Sequence, residues 1–183
     1  MTMHNGMRPQ DVAVLLRIVL FKDQRWMNKD LARLLYLSPA EITGSIERSI
    51  LAGLIDSDRK TVFKQSLLEF LQYGIKYVFP AIRGGVERGV LTAHSHPAIQ
   101  ARFASEQFMV WPDATGKEKG FSISPLYPSA AEAAKNDPEM HFLLSLVDLL
   151  RVGKTRERSW AINQLEKAFH EPSHQPHAHQ GRK

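Results

Sequence analysis

The segment from Trp26 to Ile55, WMNKDLARLLYLSPAEITGSIERSILAGLI, constrains the fold more than any other, because its caps and apolar spacing fix two short helices and a tight turn between them. Asn28 reads as the N-cap of the first helix, whose Leu31, Leu34 and Leu35 fall on one face at helical spacing. Tyr36 and Leu37 end it. Ser38-Pro39-Ala40-Glu41 then combines an N-cap serine, a proline at the first helical position and a glutamate placed to close a capping box. From there Ile42, Ile46 and Ile50 recur every four residues, leaving Thr43, Gly44, Glu47 and Arg48 facing outward until Gly53 stops the helix. One face packs, and the other is free to touch a partner.

The flanking sequence extends this unit. Pro9 to Phe21 predicts a leading helix through Val12, Leu15, Leu16, Val19 and Leu20. After the helix pair, Leu54-Ile55 and Thr61-Val62-Phe63 read as short strands around a polar Asp56-Ser57-Asp58-Arg59-Lys60 turn. In this order of parts the first 65 or so residues resemble the winged helix-turn-helix regulators of the MarR-like type, most specifically over LSPAEITGSIERSILAGLI. The resemblance implies a DNA-reading helix with groove contacts from Ser38, Ala40, Thr43, Gly44, Glu47 and Arg48. In that arrangement Arg48 and Thr43 approach base edges, Ser38 and the amides that open the helix hold a phosphate, and Lys29, Arg59 and Lys60 touch phosphates without reading sequence.

Bulk properties set the outer limits. With 43% hydrophobic and 23% charged residues in 183, the chain has the composition of an ordinary globular protein. The absence of cysteine excludes a disulfide framework, a thiolate zinc site and a cysteine nucleophile. No apolar run is long enough to span a bilayer and the start lacks a signal-peptide layout, so the expected location is the cytoplasm, away from membranes. A net charge of +5 favours a polyanionic partner mildly. So modest a surplus gives few phosphate contacts per copy, which argues for a homodimer reading two half-sites on double-stranded DNA.

Beyond the first unit, Gln65 to Val78 predicts one longer helix with Leu67, Leu68, Leu71 and Ile75 as its stripe and Gly74 weakening its last turn. Arg83-Gly84-Gly85, Gly89 and the run from Val90 to Pro97 have no helical period and read as loop or extended chain. Phe108 to Pro112 and Phe121 to Ile123 flank a polar stretch and suggest a small β-hairpin. Asp137-Pro138 opens a helix that Met140, Phe142, Leu143, Leu144, Leu146, Val147, Leu149 and Leu150 make apolar almost all round. Such a helix is buried on more than one side, and a second subunit is placed ahead of a central core position as the extra cover. Gly153 ends it, and Thr155 to Phe169 forms the last helix before a polar, histidine-bearing tail.

The remaining chemistry is sparse. His94 and His96 flank Ser95 and would project to one side of a strand, a weak metal signal that lacks further donors. Ser95, His94 and Asp113 lack the elbow that a hydrolase triad needs, and the Gly84, Gly85, Gly89 spacing lacks the context of a phosphate loop. Lys154, Arg156 and Arg158 crowd the start of the last helix and mark a contact for an anion or an acidic partner.

These readings combine into a mainly α chain with a small β component. Residues 1–64 form a winged helix-turn-helix DNA-binding domain, 65–170 a helical and β-hairpin dimerisation region, and 171–183 a disordered tail. The expected function is a DNA-binding repressor or autoregulator, with no enzymatic activity, cofactor or resident metal, and with a small-molecule effector or acidic protein as further partner. The alternative is a protein-interaction module, antitoxin-like or adaptor, that uses the same helical face, which carries the nonbasic Gly44, or the basic helix start near Arg156.

Overall fold

The computed structural model describes residues 6–58, 60–103 and 105–171. Helix α1, Pro9–Phe21, begins where Asp11 accepts the Arg8 N–H at 2.8 Å, and its whole run from Val12 to Leu16 is inaccessible to solvent. Helix α2, Asn28–Leu35, follows. Its cap is not the Asn28 side chain. Asp30, in the first turn, accepts the Met27 N–H at 2.8 Å, while Asn28 Nδ2 reaches across to Thr43 Oγ1 at 3.2 Å. Tyr36 turns the chain in the left-handed region (φ 56°), and helix α3, Pro39–Leu51, starts with the expected reciprocal cap between Ser38 and Glu41. Ile42 and Ile46 are buried, and Gly53 (φ 70°) supplies the stop.

After α3 a single antiparallel bridge, Ile55 to Val62, closes the polar turn. The chain then enters α4, Lys64–Glu69, which passes through a π-helical turn, Phe70–Gly74, into α5, Ile75–Val78. Leu67, Leu68, Leu71 and Ile75 face the core as expected, but the helix widens instead of running evenly through Gly74.

The glycine-bearing segment is a strand. β1, Arg83–Leu91, pairs antiparallel with β3, Glu118–Ile123, along its first part and with β2, Met109–Pro112, along its last. β2 and β3 therefore run parallel to each other and do not form the antiparallel hairpin expected from sequence. Gly89 is where the two ladders meet: a side chain there would run into the Trp111 carbonyl. A 3-10 turn, Ala93–Ser95, and the short helix α6, Pro97–Gln100, lie between β1 and β2.

Helix α7, Ala130–Asn136, leads into α8, Pro138–Val152, which Asp137 caps by accepting the Met140 N–H at 3.0 Å. Met140, Leu143, Leu144, Leu146, Val147, Leu149 and Leu150 are all buried within the single chain. The expectation of a second subunit covering α8 is thereby corrected: α1, α5, α7, α9 and the 93–95 turn supply the cover. Helix α9, Thr155–His170, buries Ala161, Leu165 and Phe169 against it. The hydrophobic core runs without a break from Val12 to Phe169, so the boundary expected near residue 64 does not divide it. The tail from residue 172 lies outside the described residues. No described helix is long and apolar enough to cross a membrane.

Candidate nucleic-acid interface

The surface around α3 is organised by a buried carboxylate. Asp11, fully inaccessible in α1, accepts from Arg48 Nε at 2.8 Å and from Arg48 Nη2 at 2.6 Å, and the Ser45 hydroxyl also donates to it. With the Arg8 amide, both of its oxygens are doubly engaged. The pairing raises the pKa of the Arg48 guanidinium above its ordinary value. It also explains Gly44. A Cβ there would lie 3.1 Å from Arg48 Nη1, so the glycine clears the path along which the guanidinium lies back over the helix. Arg48, whose side chain is only 14% exposed, is turned inward and not outward as the four-residue spacing had placed it.

The other candidates divide between support and surface. Ser38 is committed to the cap, which also lowers the pKa of Glu41 through the Ser38 backbone and side-chain hydrogen bonds. Thr43 donates to the Pro39 carbonyl at 3.0 Å and accepts from Asn28, so its hydroxyl ties α2 to α3. Ala40 and Glu47 are exposed, and Gly44 is half-buried. Lys29 at the start of α2 and Lys60 on the turn are exposed, and Arg59 lies outside the described residues. Between the α1–α2 connection and this turn opens a cleft of about 790 Å³ lined by Lys22, Arg25, Trp26, Asp30 and Lys60. Arg25, which the sequence had not singled out, lines the same cleft as Lys60.

At the far end of the chain the three cations do not act alike. Arg158 Nη1 donates to the Gly153 carbonyl at 2.7 Å and closes the α8–α9 turn, whereas Lys154 and Arg156 are exposed. The two histidines also separate. His94 contacts the Gln107 carbonyl through Nε2 at 2.9 Å, while His96 is buried against His141 with ring centroids 4.3 Å apart. Burial, and then the neighbouring His141, push the His96 pKa down to about 4.

Sequence reasoning missed two buried acids. Asp11 is one. Asp148 on α8 is the other: it accepts from Thr92 Oγ1 and Trp111 Nε1, each at 2.7 Å, and from Arg151 Nη1 at 2.8 Å. Burial raises its pKa. Arg151 continues to the carbonyls of Phe79 and Ser124, so this pair fastens α8 to the sheet. The signal for both was present as one acid within an otherwise apolar helical run. Among the described residues no three His, Asp or Glu side chains gather as a metal site.

No family model matches the chain, and neither the curated proteins nor the solved structures contain a match to it.

Proposed function

We propose that the chain is a sequence-specific DNA-binding regulator of the winged helix-turn-helix kind, acting in the cytoplasm as a homodimeric repressor or autoregulator. The observation that carries the reading is the placement of α3. It starts at the surface immediately after the tight turn at Tyr36, and the exposed cations Lys29 and Lys60 flank it on α2 and on the Ile55–Val62 turn. Small residues at Ala40 and Gly44 let the helix approach a groove closely, and Glu47 is the exposed side chain able to accept from a base edge. Arg48 supports the reading helix from within instead of contacting bases.

The test is fluorescence anisotropy of the protein with the duplex upstream of its own gene and with a scrambled duplex, at several salt concentrations. Tighter binding to the upstream duplex is expected. Lys60→Ala should weaken both duplexes alike and reduce the salt slope by about 0.9, and Glu47→Ala should narrow the preference between them. Weak and equal binding, unchanged by either substitution, would contradict the reading.

One observation favours a second reading, a protein-interaction module of the antitoxin-like or adaptor type. The exposed face of α3 presents Ala40, Glu41, Glu47 and Leu51, the last 69% exposed, and its sole cation is turned inward. A basic or apolar protein surface suits that face.

A further inference from the structure

We propose that the outward face of the β1–β3 ribbon binds a single-stranded nucleic acid, with Arg88, Lys117 and Lys119 on its phosphates and a base stacked on Phe121. The register carries this. Val86 stands opposite Phe121 and Arg88 opposite Lys119, so strand alternation puts these four on one face. Lys117, two residues before Lys119, is exposed next to them. Val86 is 62% and Phe121 41% exposed.

Two features of this face call for an anionic partner with flat apolar surfaces. Like charges directly opposite in an antiparallel pair repel, and although Arg88 Nη1 donates to the Gly116 carbonyl at 3.2 Å, among the described residues no carboxylate forms an ion pair with Arg88, Lys117 or Lys119. Glu87 and Glu118 alternate to the other face, where Glu87 accepts from the Ser122 hydroxyl at 2.6 Å. A phosphate chain removes the repulsion.

Beside Phe121 lies a cavity of about 250 Å³ whose lining includes Phe108, Arg83, His94, Gln107 and Ser122. Aromatic walls with polar groups at the edge suit one flat heterocycle, since drug-sized ligands generally need 300 Å³ or more. A duplex would bring phosphates but keep its bases stacked, leaving Phe121 with nothing to cover it. A single strand supplies both, and aromatic platforms within basic surfaces bind single strands in this way. This surface is separate from α3 and its flanking turn, so the inference does not rest on the duplex-reading proposal.

The experiment uses the full chain and a short fluorescent oligonucleotide, as RNA and as DNA, with a duplex and inorganic polyphosphate as competitors. Phe121→Ala should weaken binding about tenfold and Phe121→Trp should preserve it. Lys119→Gln should lower the salt slope by about 0.7, the effect of one phosphate contact on a single strand, and Lys60→Ala should leave binding unchanged. Circular dichroism melts establish that each variant is folded, and Phe121→Trp and Lys119→Gln keep the test open if the alanine variant is not. Equal competition by polyphosphate and oligonucleotide, parental affinity in folded Phe121→Ala, or loss of binding in Lys60→Ala would each overturn the proposal.

Discussion

Arg48 illustrates how a single side chain changes the account. Helical periodicity set it on the outer face of α3, and its chemistry suited bidentate recognition of guanine. Its guanidinium instead makes that fork geometry with Asp11, a carboxylate of α1 that no solvent reaches. Removing one partner of such a pair leaves a charge buried without compensation. Arg48→Ala should therefore lower unfolding free energy by about 3–5 kcal/mol in urea titrations, while Asp11→Ala combined with Arg48→Ala should lose less than the sum of the two single changes. A loss under 1 kcal/mol in Arg48→Ala would show that the pair does not hold α1 to α3. The pairing was not legible because periodicity reports which way a Cα faces, and a long side chain is free to fold back. Gly44 was legible as unusual, but its reason, the room it leaves for Arg48, exists only once the two are placed together.

At the level of elements, punctuation proved more legible than pairing. Ser38-Pro39 and Asp137-Pro138 start their helices as expected, because caps and prolines act through bonds within a few residues. The sheet was not legible in the same way. Phe108–Pro112 and Phe121–Ile123 do contain strands, but their shared partner is β1, whose glycines left loop and extended chain equally open. Local signals cannot announce a partner about 20 to 40 residues away. Helix α8 was legible as buried on several sides, and its sequence held no information about which chain supplied the cover. That helix also carries His141, packed edge-on against His96 of the segment after β1, and the buried Asp148. Since burial depresses the pKa of both imidazoles, each is kept neutral in the folded chain at pH values where the unfolded chain would protonate it. Below pH 6.5 the unfolded state binds more protons, so this source of stability is intact above 6.5 and declines as pH falls toward about 4. Asp148, whose pKa is raised, acts in the opposite direction, so the comparison is made against His96→Gln. Thermal midpoints of the parent should fall more steeply than those of His96→Gln between those limits, and parallel curves would contradict the assignment.

Across the whole molecule, one core joins the trihelical unit to the sheet and the terminal helices. Arg17 pairs with Asp137 at 3.4 Å, and Tyr36 accepts from Asn136 at 3.0 Å, so α7 and the start of α8 brace the unit that presents α3. Composition had indicated a globular chain with a mild positive surplus, but not this continuity. The central claim is that α3 and the following turn form the surface that meets DNA. Hydrogen exchange with and without the upstream duplex tests it most directly. The account predicts added protection over residues 38–47 and 56–62 with that duplex and little with a scrambled one. Protection confined to other segments, or none at all, would contradict it.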